Sequence, residues 1–313
     1  RFLHGDVDFY TGRTLPRPEA FAPYHRHTPP SVPIDEWGRA SARHPASGEL
    51  LLTRKIYYPL WEMERPDELE AYPWPEMTDP ARWEGLAEAV SRGKRAGRAT
   101  VGQMSQTIME MGYELRSMER LLVDLHENPA FVHRLFQILT RLRCQQARAL
   151  VEAGVDILRV GDDLGTQQAL LISPQTYRTW VKPCHAAVIR AARELRPDLP
   201  ILYHSDGNIE AIIPDLLEIG VTAINPVQPE CLDPVRVKAR WGDRLTIWGA
   251  VSTQRTLAFG TLQDVEAEVD ARLREIAPGG GYVVNFINTV WSPTARRNVF
   301  HYLWCIHRRG VYR

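Results

Sequence analysis

A chain of 313 residues with 44% hydrophobic and 24% charged content is long enough to bury a large core, and one α/β domain accounts for that length. The 38 basic residues balance the 38 acidic ones, which excludes a global field that would draw the protein to nucleic acid or to an anionic membrane. The four cysteines, Cys144, Cys184, Cys231 and Cys305, form no CxxC pair, and there is neither a secretory start nor an apolar run of about 18 residues, so a reduced, cytoplasmic protein is expected.

Residues 1–85 read as a wrapping segment: Pro16, Pro18, Pro23, Pro29, Pro30 and Pro33 forbid any long helix, and tryptophans are frequent. Within it, the β-branched and aromatic run ELLLTRKIYYPLW after Gly48 predicts an extended arm or hairpin. Asp79 followed by Pro80 marks a helix start as N-cap and first helical residue.

From residue 86 to 313 short apolar runs alternate with longer amphipathic ones, the pattern of a parallel sheet covered by helices. Strands are predicted at 99–104, 156–161, 200–205, 222–227, 245–250 and 282–286, with helices at 119–151, 174–195, 208–219, 232–240, 261–276 and 292–309. Six βα units, plus one or two strands from the N-terminal segment, predict a single (β/α)8 TIM barrel, with an open doubly wound sheet as the alternative. No GxGxxG follows a strand, which removes the main support for a dinucleotide fold.

A parallel barrel builds its active site at the C-terminal ends of its strands. Those ends carry Gln103 and Ser105, then Asp162 and Asp163, then His204, Ser205, Asp206 and Asn208. Asn225, Gln228, Glu230, Trp248, Asn285 and Asn288 follow. The bland readings stand beside the functional ones: one of Asp162 and Asp163 caps a helix, Asn208 caps the helix after it, Trp248 is a pocket wall, and Trp241, Trp291 and Trp304 are packing. His204, at a strand end and two residues from an acid, is the leading candidate for a ligand or acid/base role.

The stretch HSDGNIEAIIPDLLEIGVTAINPVQPE (204–230) resembles the uroporphyrinogen decarboxylase superfamily, in which a strand ending in His-x-Cys-Gly-Asn leads into a helix and a second strand. The similarity continues through WGDRLTIWGAVSTQ (241–254), PGGGYVVNF (278–286), AGVDILRVGDDLGTQ (153–167) and SPQTYRTWVKP (173–183). It implies a TIM barrel, and it leans toward the methyltransferase-like branch. The decarboxylase neutralises its polycarboxylate substrate with an Arg-Gln-Ala-Gly-Arg-Tyr segment, and no such segment occurs in this sequence.

The methyltransferases of the superfamily move a methyl group between a corrinoid and an acceptor, and the thiol users hold zinc through His-x-Cys and a distant Cys. On these positions His204 matches the histidine, Asp206 replaces the first cysteine and Asn288 lies near the second. The resemblance therefore implies a catalytic set of His204, Asp206, Asp162, Asp163 and Glu230. Gln103, Asn208, Gln228, Trp248, Asn285, Asn288 and Tyr177 would bind substrate, and His204 with Asp206 would be the surviving ligands of any zinc. A small-molecule substrate, a corrinoid protein as partner and a homodimer are the matching expectations. Uroporphyrinogen decarboxylation is the second reading and a non-catalytic binding barrel the third.

Overall fold

The computed structural model describes residues 6–43, 54–286 and 295–310. Strands are numbered in chain order: β1 Val7–Tyr10, β2 Ala40–Arg43, β3 Arg54–Tyr57, β4 Ala99–Gln103, β5 Ile157–Gly161, β6 Ile201–His204, β7 Ala223–Val227, β8 Thr246–Val251 and β9 Tyr282–Phe286. Seven of them form one parallel sheet in the order β1-β4-β5-β6-β7-β8-β9, while β2 and β3 pair as a separate antiparallel hairpin. The six strands expected from apolar runs all form within a residue or two of their expected bounds. β1 comes from the N-terminal segment and pairs parallel with β4 at one edge of the sheet, so the described residues hold seven of the eight strands expected.

The order never reverses, which removes the doubly wound alternative. Curvature is shown by side chains. In a flat sheet β1 and β8, five strands apart, would be separated by about 24 Å. The rings of Phe9 on β1 and Trp248 on β8 instead meet at 6.4 Å. Val7, Val101, Ile157, Leu202, Ala223, Trp248 and Val283, one from each parallel strand, pack into a single cluster. That cluster fills the interior of a barrel, as alternate inward residues must. The larger core lies outside it, between strands and helices.

The predicted helix 119–151 is broken once, at Asn128, and a further short helix, unforeseen, precedes it across Ser117. Met109–Arg116, Met118–Glu127 and Pro129–Glu152 are separate helices. Ser117 takes φ +77° and its hydroxyl accepts from Arg120 N, while Asn128 accepts from Phe131 N ahead of Pro129. Local side-chain capping thus outcompetes continuation of the helix. The helix expected at 174–195 runs from Pro174 to Arg193 with a π-helical turn at Tyr177–Val181. Asp79 caps as expected, accepting from Ala81 N at 2.9 Å.

Buried guanidinium groups fasten the N-terminal segment, Arg116 and Arg143 from the later helices and Arg82 from within the segment itself. Arg116 donates to the carbonyls of Leu60 and Met63 and pairs with Asp124 at 2.7 Å. Arg82 reaches Glu36 at 2.8 Å, and Arg143 lies 4.6 Å over the Trp37 ring. Each removes a charge from water, and each is compensated by acceptors. Among the described residues no helix is long and apolar enough to cross a membrane.

Candidate active site

Above the Leu202–Trp248 layer the barrel opens into a cavity of about 310 Å³, lined by Phe9, Arg159, Leu202, His204, Asn225, Trp248 and Asn285. Strand pairing sets this lining, because His204 is in register with Asn225 on β7 and Gly161 on β5. At Gly161 a Cβ would stand 2.0 Å from the His204 carbonyl oxygen, so only glycine lets β5 pass so close to β6.

The loops after β5 and β6 are tied to one another. Asp206 N donates to Asp163 Oδ1 at 2.9 Å, Asn208 N to Thr166 O at 2.8 Å, and Leu164 N to Ser205 Oγ at 3.0 Å. Gly207, at φ +81°, rests directly on the Gly165 backbone. These bonds bring ligand atoms of Asp163, His204 and Asp206 within 4.8 Å of one another.

His204 has a defined tautomer. Asn225 donates its Nδ2 to the Trp248 carbonyl at 3.2 Å, which turns its Oδ1 toward the imidazole, and His204 Nδ1 donates to that oxygen at 2.7 Å. The Nε2 lone pair is left facing Asp163 Oδ1 at 3.8 Å. Burial, then the positive charge of Arg159, holds the imidazole below its ordinary pKa, against the opposing pull of Asp163 and Asp206. A neutral imidazole with its lone pair toward carboxylates is a ligand in waiting.

The other expected residues separate into groups. Asn225, Trp248 and Asn285 line the cavity with His204. Asp162 is fully buried behind it, where it accepts from the backbone N–H groups of Ile108, Met109 and Glu110 and meets His185 Nε2 at 2.7 Å. Its place is that of a cap on helix Met109–Arg116, not of a group that meets substrate. Tyr177, also fully buried, packs near His185 in the π-helical turn, away from the cavity. Asn208 caps the following turn by accepting from Glu210 N, and Gln103 bonds to Ser105. Gln228 accepts from Gly207 N at 3.3 Å, and Glu230 accepts from Ser252 Oγ. Asn288 and Trp291 lie outside the described residues.

Two functional groups were not foreseen. Arg159 projects from the middle of β5 into the cavity, and burial lowers its pKa against Asp163, Glu110 and Asp206. A charged residue inside the run DILRVG, in step with the lumen-facing positions, was the available signal. Glu110 sits on the helix after β4, where its carboxylate accepts from Asp163 N at 3.4 Å. Burial, then the charges of Asp163 and Asp162, pushes it up to about 8. Cys231, pushed up to about 11 by burial and by Glu230 and Asp206, stays a thiol at neutral pH.

This parallel barrel, with its polar groups gathered at the strand ends, belongs to a class of enzyme scaffolds that hold the reacting groups there. The chain belongs to the uroporphyrinogen decarboxylase (URO-D) family, whose profile matches residues 62–309. It is similar to methylcobamide:CoM methyltransferase MtaA of Methanosarcina barkeri, 26% identical over 148 residues, which are 46% of this chain and 41% of that protein. It is also similar to the uroporphyrinogen decarboxylase of Thermus thermophilus, 27% identical over 190 residues, 59% and 50% of the two chains. The chain spans about half the length of these relatives. A solved methyltransferase from Methanosarcina mazei shares the fold with a TM-score of 0.57 at 20% identity, over 72% of this chain and 64% of that one.

Proposed function

We propose that the protein is a methyl-transfer enzyme acting on an oxygen- or nitrogen-linked methyl group, with a corrinoid protein as methyl carrier and a divalent ion held by His204, Asp163 and Asp206. The observation that carries this reading is the His204 lone pair facing Asp163 across 3.8 Å, with Asp206 beside it: acceptors converge, and a cation is what they would share. The donor set fits such an ion. Three protein ligands with an open position are the pattern of catalytic zinc, and one imidazole with two carboxylates balances a dication.

When bound, the ion would act as a Lewis acid toward a coordinated oxygen or nitrogen. Carboxylates donate less charge to a metal than thiolates, so this set suits polarising a hard leaving atom better than activating a thiol. Asn225 keeps the imidazole in its ligand tautomer, and the Asp206 N–H fixes the Asp163 carboxylate. Arg159 offers a positive partner to a negative substrate group, and Trp248 with Leu202 closes the floor to water. Glu110, whose pKa is raised by burial and then by Asp163 and Asp162, stands next to Asp163 where it would serve as a proton source.

Charge speaks against the decarboxylase reading. A site for a polycarboxylate needs a cluster of cations, whereas the cavity among the described residues has one guanidinium, Arg159, with Asp163, Asp206 and Glu110 around it. The test is elemental analysis of the purified protein and its His204→Ala variant. The variant is expected to hold one equivalent of divalent metal fewer than the wild type, and equal metal content in both would contradict the assignment.

A further inference from the structure

The C-terminal helix Ala295–Arg309 brings together, with its neighbour, a group of residues of metal-ligating type that the barrel mouth does not use. His301 and Cys305 are four residues apart and therefore share one helix face. Glu266, from the helix Leu262–Glu275, completes the group, and the ligand atoms of the three residues lie within 4.8 Å of one another. These helices pack over a small apolar cluster of Val251, Leu257, Val265, Val269, Tyr302 and Cys305, separate from the main core.

Two of the three, His301 and Glu266, are oriented by neighbours. The His301 ring stacks on Trp304, with centroids 5.4 Å apart and planes 14° apart, and its Nε2 meets Glu266 Oε1 at 2.8 Å. The other oxygen, Glu266 Oε2, accepts from Arg309 at 2.8 Å, and Arg309 is itself held by Asp270 at 2.7 Å. Ligand carboxylates are commonly fixed by such outer hydrogen bonds. The ion-pair network accounts for His301, Glu266, Arg309 and Asp270. Cys305, fully buried at the edge of the apolar cluster, brings a thiol to the same point.

We infer that Glu266, His301 and Cys305 form a zinc-type metal site on the outer helical layer, which staples the C-terminal helix to the helix Leu262–Glu275. An imidazole, a thiolate and a carboxylate are all zinc ligands, and on a zinc tetrahedron their atoms would stand about 3.3–3.7 Å apart, so the His301–Glu266 contact of 2.8 Å would open slightly to admit the ion. The thiolate and the carboxylate balance the dication, and Asp270 already balances Arg309. Binding expels the Cys305 proton to solvent, and the proton that His301 Nε2 shares with Glu266 moves to Nδ1 or to solvent, which frees both atoms as ligands.

Titration of the full chain with cobalt(II) reads this site directly, because a sulfur ligand gives a near-ultraviolet thiolate-to-cobalt band that a site of oxygen and imidazole ligands does not. The band is expected in the wild type and in Cys231→Ser, the thiol nearest the barrel mouth. It is expected to vanish in Cys305→Ser and His301→Ala and to weaken in Glu266→Gln, whose carboxylate is partly exposed and whose replacement leaves the core intact. Should Cys305→Ser fail to fold, the His301 and Glu266 variants decide. No thiolate band in the wild type, a band that survives in His301→Ala, or one that is undiminished in Glu266→Gln overturns the inference.

Discussion

His204 Nδ1 donates to Asn225 Oδ1 at 2.7 Å, and this one bond decides which imidazole nitrogen faces Asp163 and Asp206. The bond costs little to form, since Asn225 is already oriented by the Trp248 carbonyl. Replacing Asn225 by Leu frees the ring to rotate and to exchange tautomers. The expected result is metal affinity weakened by about 10- to 100-fold with the fold intact, as removal of an orienting partner does elsewhere. Chelator competition with zinc measures it.

Asp162 is expected to matter for stability. Burial alone would raise its pKa, but the bond and charge of His185 and the N–H groups of Ile108 and Glu110 reverse that and leave it below the ordinary carboxylate range. A depressed pKa contributes stability that is present above the unfolded value of about 3.9 and is lost as pH falls through the folded value. Asp162→Asn should therefore be about 3–5 kcal/mol less stable than wild type near neutral pH. Urea titrations at several pH values should show that gap narrowing below about pH 4.

Glu110 has the opposite sign. Its folded pKa of about 8 lies above the unfolded value of about 4.3, so its contribution is fully present below the latter and is lost as pH rises through the former. Burial raises it most, the charges of Asp163 and Asp162 add to that, and the bonds from Gln106 and Asp163 N oppose them. Glu110→Gln removes this titration, and denaturation at about pH 4 and about pH 9 should show the variant gaining on the wild type as pH rises. Equal pH dependence in the two proteins would mean that Glu110 is ionised at neutral pH and is no proton source.

Much of the scaffold could be read directly from the chain, because parallel strands buried on both faces are short apolar runs with polar ends. His204, Asp206 and Asp163 were found for that reason: each stands just where an apolar run stops. β1 was not, since VDFY is only four residues long and lies in a segment dominated by prolines. The roles of Asp162 and Asp163 could not be separated from sequence. One turns back to cap a helix that begins 54 positions earlier, at the Ile108 N–H, and to meet His185, 23 positions later. Arg159 was hidden because a charge in a strand reads as an interruption until the strand is known to face a polar lumen. The break at Asn128 shows local capping overriding a continuous amphipathic pattern.

The central claim is methyl transfer with a corrinoid at the His204 site, and a corrinoid reports its own methylation state by its absorption spectrum. The most direct measurement follows the spectrum of reduced cobalamin mixed with the metal-loaded protein and a panel of O- and N-methylated small molecules, alongside carbon dioxide release from uroporphyrinogen. The account predicts conversion to methylcobalamin with at least one donor, abolished in His204→Ala, and no carbon dioxide. Carbon dioxide release from uroporphyrinogen, with no donor methylating the corrinoid, would contradict it.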